Sequence, residues 1–171
     1  TNIKGAMLTC ILSDTLEFRS PTTTPEDKAI AQALAKDLGI DVAEYAAQMF
    51  AAKSDVSSFS EAELLRMDSK EYEVGGKQFR VSVLETTSPA SVLDRKDALM
   101  AAMPGVATQD GADQVLLFVV DILNEEATML IPNDLTKSVA EKSFGATVTG
   151  DTVVLPGIMS RKKQIIPNLK V

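Results

Sequence analysis

Histidine and tryptophan are both absent from the 171 residues, and cysteine occurs once, at Cys10. Without histidine, a Ser-His-Asp triad and imidazole acid–base catalysis are excluded within this chain. A catalytic zinc site is disfavoured on the same ground, because zinc almost always takes Cys or His ligands. A single cysteine excludes an internal disulfide and fits a reducing compartment, so a cytoplasmic location is the expectation. Its place in an apolar stretch predicts a buried, structural thiol. The longest apolar runs, such as Val115 to Val120, fall far short of the ~20 residues that span a bilayer. No charged-then-apolar signal opens the sequence. No membrane partner is expected.

Aromatic residues make up only 5% of the chain and the net charge is −7, which argues against a nucleic-acid partner. The charge is unevenly spread. From Thr152 to Val171 there are four bases (Arg161, Lys162, Lys163, Lys170) and no acid, which leaves thirteen bases against twenty-four acids in the remainder, a net of −11. A basic tail on an acidic body suits a small anion held at one place better than a long polyanion on a broad face.

Along the chain, Ile3, Met7, Cys10 and Ile11 follow a helical period that stops near Asp14. Thr24-Pro25-Glu26-Asp27 reads as a helix start, with a threonine N-cap, proline at the first position and acids in the first turn. Ile30, Ala33, Leu34 and Leu38 would be its buried stripe, and Gly39 its stop. Asp41 with Glu44 opens a second helix carrying Val42, Tyr45, Ala46, Met49 and Phe50 on one face. Ser54 to Ser60 is a polar linker, and Ser60 with Glu63 caps another brief helix. The period then changes to that of strands. Glu71 to Val74, Gly75-Gly76 and Lys77 to Glu85 predict a hairpin with a type I′ turn, with Phe79, Val81 and Val83 alternating against Arg80 and Ser82. A helix from Ser88-Pro89 should end before Pro104-Gly105. Val115 to Val120 predicts a strand covered on both faces. Thr128 to Ile131 is a partner strand, Asp134 to Phe144 a helix, and Thr152 to Leu155 a last strand. The expected class is α/β, a mixed β-sheet flanked by helices and preceded by a short helical segment. Residues 1–53 form the helical part, 54–60 the linker and 61–171 the α/β domain.

Four places bear on the chemistry. Arg161-Lys162-Lys163 follows a strand and the loop Pro156-Gly157, where arginine could fork two donors onto phosphate oxygens and lysine act as a mobile charge. A solvated basic patch is the plainer reading. Asp14, at the end of an apolar helix, is either a helix-end aspartate or a ligand for a hard divalent cation. Lys70 reads as a surface lysine. The acidic cluster Asp121, Asn124, Glu125 and Glu126 after the central strand reads as a solvated turn, with metal ligation the sharper alternative.

Four strings bring these places together: Ser13-Asp14-Thr15-Leu16-Glu17-Phe18-Arg19-Ser20-Pro21-Thr22, Asp68-Ser69-Lys70-Glu71-Tyr72, Asp121-Ile122-Leu123-Asn124-Glu125, and Pro156-Gly157-Ile158-Met159-Ser160-Arg161-Lys162-Lys163-Gln164. In this order they resemble the C-terminal half of the family II, manganese-dependent inorganic pyrophosphatases of the DHH phosphoesterase superfamily. The resemblance implies the end of a catalytic DHH domain in residues 1–53 and a DHH-associated, substrate-gripping domain in residues 61–171. It implies a metal-ligand role for Asp14 and diphosphate contacts for Lys70, Arg161 and Lys162. It also implies Mn²⁺ as cofactor, with Mg²⁺ or Co²⁺ as substitutes, and hydrolysis of diphosphate to two phosphates. Arg19 stands where the family more often has lysine. The family's remaining metal ligands, histidines included, lie in an N-terminal stretch not present here, so that catalytic domain is an expected partner and the chain alone is expected to be inactive. A homodimeric parent is one option for the assembly. The alternatives are an exopolyphosphatase or another DHH phosphoesterase, and a non-catalytic anion-binding module.

Overall fold

The computed structural model describes residues 2–171, which divide into two compact units, residues 2–54 and Asp55–Val171. The first unit is helical. It comprises α1 (Asn2–Thr15), α2 (Pro25–Leu38) and α3 (Val42–Lys53). Thr24 accepts from the Asp27 amide while the Asp27 carboxylate accepts from the Thr24 amide, a reciprocal cap that fixes where α2 begins. Gly39, at φ 67°, closes it in the left-handed region. In α3 the buried residues are Ala46 and Phe50, on the expected face.

Two expectations fail in this unit. The stripe of α1 that packs is Leu8, Leu12 and Thr15, while Ile3 is 76% and Met7 47% exposed and Cys10 is an exposed free thiol. In α2 the buried positions are Ala31 and Ala35, with Ile30 and Ala33 exposed. Both helices carry apolar side chains on more than one face, so periodicity alone does not select the face that packs.

The second unit is built on a five-stranded sheet in the order β1 (Ser69–Val74), β2 (Lys77–Thr86), β3 (Gln114–Asp121), β4 (Glu126–Leu130), β5 (Thr152–Pro156). Only β2 and β3 are parallel neighbours; the other pairs are antiparallel. Gly75 and Gly76 sit at φ 58° and 76°, the positive angles that join β1 to β2 through a two-residue turn. The parallel pair needs a crossover, supplied by α5 (Pro89–Leu93) and α6 (Lys96–Asp110). Helix α4 (Glu61–Met67) precedes the sheet, and α7 (Asp134–Phe144) connects β4 to β5.

Every residue of β3 is buried, as its unbroken apolar run requires. Its odd-numbered side chains, Val115, Leu117 and Val119, join Leu64, Leu65, Val92, Leu99 and Met103 in one core. On the even-numbered face the Phe118 ring meets Phe144 of α7 edge-on, with centroids 5.9 Å apart and planes at 79°, a geometry worth about 0.5–1.5 kcal/mol beyond area burial. Layers on both faces explain a departure in β2. Ser82 is fully buried, not exposed as alternation suggests, because its hydroxyl donates to the Leu65 carbonyl of α4.

The helix expected to stop before Pro104 runs on to Asp110 and is capped by Gly111. Proline deletes one amide donor and disfavours helix interiors. Here Pro104 faces solvent while Met103, Val106 and Ala107 are buried on either side, so packing holds the helix through it. The start near Ser88 is also divided, because α5 ends at Leu93 and α6 begins at Lys96. Arg66 donates to both oxygens of Asp110, and Arg80 pairs with the same carboxylate. The Arg66 hydrogen bonds, with the Arg80 charge behind them, hold the Asp110 carboxyl below the usual carboxylate range.

Candidate phosphate-binding site

Strand direction determines where the basic tail emerges. Thr86 at the end of β2 pairs with Asp121 at the end of β3, Asp121 with Glu126, and Glu126 with Pro156 at the end of β5. The strands β2, β3 and β5 therefore all finish at one end of the sheet, and β1 starts near it. Ligands of open α/β sheets favour the carboxyl ends of strands.

From β5 the chain turns at Gly157, whose φ is 74°. It then forms a single π-helical turn over Arg161–Ile165. The reason lies in the two residues that frame the cations. The Ser160 hydroxyl accepts from the Lys163 amide, and the Ser160 carbonyl accepts from the Gln164 and Ile165 amides. The Gln164 side chain reaches back, accepting from the Met159 and Ser160 amides and donating to the Gly157 carbonyl. Met159, Ser160 and Ile165 are buried. In the Ser-Arg-Lys-Lys-Gln string the outer residues build the turn and the inner three display charge around it. An i→i+5 turn of this kind is rare and concentrates at functional sites.

Arg161 is only 15% exposed and does not project freely. Its Nη1 donates to the Asp68 carbonyl at 2.8 Å and its Nη2 to Asp68 Oδ1 at 2.8 Å. Asp68 caps the C-terminal end of α4, and Lys70 comes two residues later on β1. The contact joins positions 93 residues apart and brings the tail turn to the start of the strand carrying Lys70. The side chains of Lys70 and Lys162 are exposed and have no hydrogen bond or ion pair among the described residues.

Asp14 belongs to the first unit, on the last turn of α1, where it has no partner among the described residues. The backbone just past this turn is strained. Leu16, Glu17 and Phe18 all have positive φ (51°, 53° and 69°). Non-glycine residues held there cost on the order of 1–3 kcal/mol each and cluster at functional sites. Thr15 stabilises the reversal. Its hydroxyl donates to the Ile11 carbonyl and accepts from the Phe18 amide, and its carbonyl accepts from the Ser20 amide. Leu16 is only 1% exposed and anchors the turn. Among the described residues no group of three or more His, Cys, Asp or Glu side chains could hold a metal ion, so Asp14 is a single carboxylate and not a metal site. Asp121 uses its carboxylate locally, accepting from the Leu123 and Asn124 amides and the Asn124 side chain, in keeping with a turn that satisfies itself.

Residues 47–171 match the DHHA2 domain family model. The chain belongs to the DHHA2 family. The expected DHH-associated domain and α/β class are therefore borne out. Over 168 residues the chain is 38% identical to a probable manganese-dependent inorganic pyrophosphatase of Lactobacillus acidophilus, covering 98% of this chain and 54% of that protein. It is 44% identical over 169 residues to the protein of the same description from Deinococcus radiodurans, covering 96% of this chain and 54% of the relative. A crystal structure from Methanococcus jannaschii, assigned to the family II inorganic pyrophosphatases, superposes with a TM-score of 0.83 at 34% identity, covering 97% of this chain and 53% of the other. The chain spans about half the length of these relatives. Among the described residues no helix is long and apolar enough to cross a membrane.

Sequence reasoning missed three contributors. Asp68 drew notice only as part of a string, since nothing local reveals a partner 93 positions away. Gln164 gave no signal either, because a side chain folding back on the preceding backbone has no pattern signature. The left-handed turn at Leu16–Phe18 contradicts residue preference, which is why propensity cannot find it.

Proposed function

We propose that this chain supplies the phosphate-gripping domain and one metal ligand of a metal-dependent inorganic pyrophosphatase, which hydrolyses diphosphate to two phosphates. The observation that carries the reading is the Arg161–Asp68 contact, which sets a guanidinium beside the strand bearing Lys70. Relatives described as manganese-dependent inorganic pyrophosphatases support it. Residues 1–53 act in this reading as the end of the catalytic domain, 54–60 as the linker and 61–171 as the substrate domain. The partner is an upstream catalytic domain, the compartment is the cytoplasm, and a homodimer is compatible with the assembly.

Each side chain has a distinct task. Arg161 presents its remaining N–H donors to two oxygens of one phosphate, giving direction as well as charge. Lys162, on the same turn, and Lys70, on β1, add mobile positive charge that tracks the negative charge as it shifts toward the leaving phosphate. Asp14 is the right type of ligand for Mn²⁺ or Mg²⁺, a hard carboxylate with no other partner among the described residues. The metal, held mainly by residues outside this chain, would polarise the phosphate and lower the pKa of the attacking water.

The isolated chain is therefore expected to show no significant diphosphate hydrolysis, even in Mn²⁺, because one carboxylate cannot hold a two-metal cluster. A phosphate-release assay checks this, with the chain purified free of host enzyme. Sustained turnover by the 171 residues alone would overturn the division of labour.

A further inference from the structure

We propose that Asp68 is a positioning residue for phosphate recognition, acting through Arg161 and resting on the phosphate-gripping role of that arginine. Asp68 holds the guanidinium at two points, through its own carbonyl and through Oδ1. The carbonyl is itself fixed, since it also accepts from the Val83 amide of β2 at 2.9 Å. One N–H of each terminal nitrogen is thereby used. Nε–H and one further N–H on each of Nη1 and Nη2 remain, enough for a second forked contact. A planar fork recognises phosphate only when its plane is correctly oriented, and a loose arginine must be ordered when the ligand arrives. Asp68 does that ordering in advance.

Two features separate this from a merely structural ion pair. The Asp68 side chain is 55% exposed, and an ion pair that open contributes little to folding. Arg161, by contrast, is 15% exposed, on a turn otherwise held by Ser160 and Gln164, so the turn does not need the pair to form. The carboxylate's identity should therefore be felt in binding and not in stability. Asn can still accept from Nη2, whereas Ala cannot.

Inorganic diphosphate titrated into the 171-residue chain, monitored by ³¹P NMR, tests this in wild type, Asp68→Asn, Asp68→Ala, Arg161→Ala and the Asp68→Ala/Arg161→Ala double variant. Asp68→Ala should weaken binding about three- to tenfold, the cost of ordering one long side chain, with Asp68→Asn intermediate and melting temperatures unchanged. In the Arg161→Ala background, Asp68→Ala should have no further effect. An equal loss in that background, a lowered melting temperature in both Asp68 variants, or tighter binding on losing the carboxylate would each overturn the inference. If wild type binds and Arg161→Ala weakens it while Asp68→Ala is silent, the inference fails and the phosphate-gripping role stands. If wild type shows no binding, both fall.

Discussion

Asp14→Ala, placed in a protein that joins this chain to the upstream catalytic domain proposed for it, is expected to lower metal affinity and turnover together. Asp14 has no partner among the described residues, so its removal breaks no contact within the helical unit. In the proposed role, its loss would deprive a hard cation of an anionic oxygen. Metal polarisation of phosphate is worth several kcal/mol, so turnover should drop on the order of a thousandfold. Asp14→Asn should be nearly as damaging, because the amide keeps the shape and loses the charge. Metal affinity is to be measured directly, by equilibrium dialysis with Mn²⁺, alongside activity. Near-normal Mn²⁺ affinity in the Asn variant would return Asp14 to the role of a helix-end residue. The strained turn behind it gives a further reason to expect function here, since a simple helix end requires no run of left-handed residues.

Arg161→Lys is the second large effect, and it isolates geometry from charge. Lysine keeps the positive charge but has no fork, so the three donors on its one nitrogen cannot hold both the Asp68 carbonyl and Oδ1 and also fork onto two phosphate oxygens. A charge-assisted hydrogen bond contributes about 1.5–3 kcal/mol, which corresponds to roughly ten- to hundredfold in affinity or rate. Lys162→Ala should fall in the same range if its ammonium meets phosphate. A solvated basic patch would behave otherwise, since exposed charges contribute about 0–1 kcal/mol and fade with salt. Kinetics of both variants at low and high ionic strength separate the cases. Small, equal, salt-sensitive losses would sink the assignment.

Much of the fold was legible because local signals agreed with tertiary packing. The reciprocal caps at Thr24 and Ser60 mark helix starts in sequence and in structure alike. Gly75-Gly76 sets the hairpin, and the unbroken run in β3 announces a doubly covered strand. Failures occurred where packing overrode local preference. Pro104 is carried through α6 by the buried side chains around it, and Ser82 is buried because α4 offers it an acceptor. Cys10 lies on an apolar helix face that does not pack in this unit. The candidate site was legible only as strings. The π-helical turn of the tail is braced by Gln164 folding back onto Met159, Ser160 and Gly157, a contact with no pattern in the sequence.

The most direct test of phosphate gripping is a titration of inorganic diphosphate into the ¹⁵N-labelled chain, read amide by amide. The expected result is saturable shifts concentrated at Ser160–Gln164 and at Asp68–Lys70, lost in Arg161→Ala. Shifts spread over surface lysines such as Lys36, Lys77 and Lys137, unsaturable and abolished by salt, would contradict it.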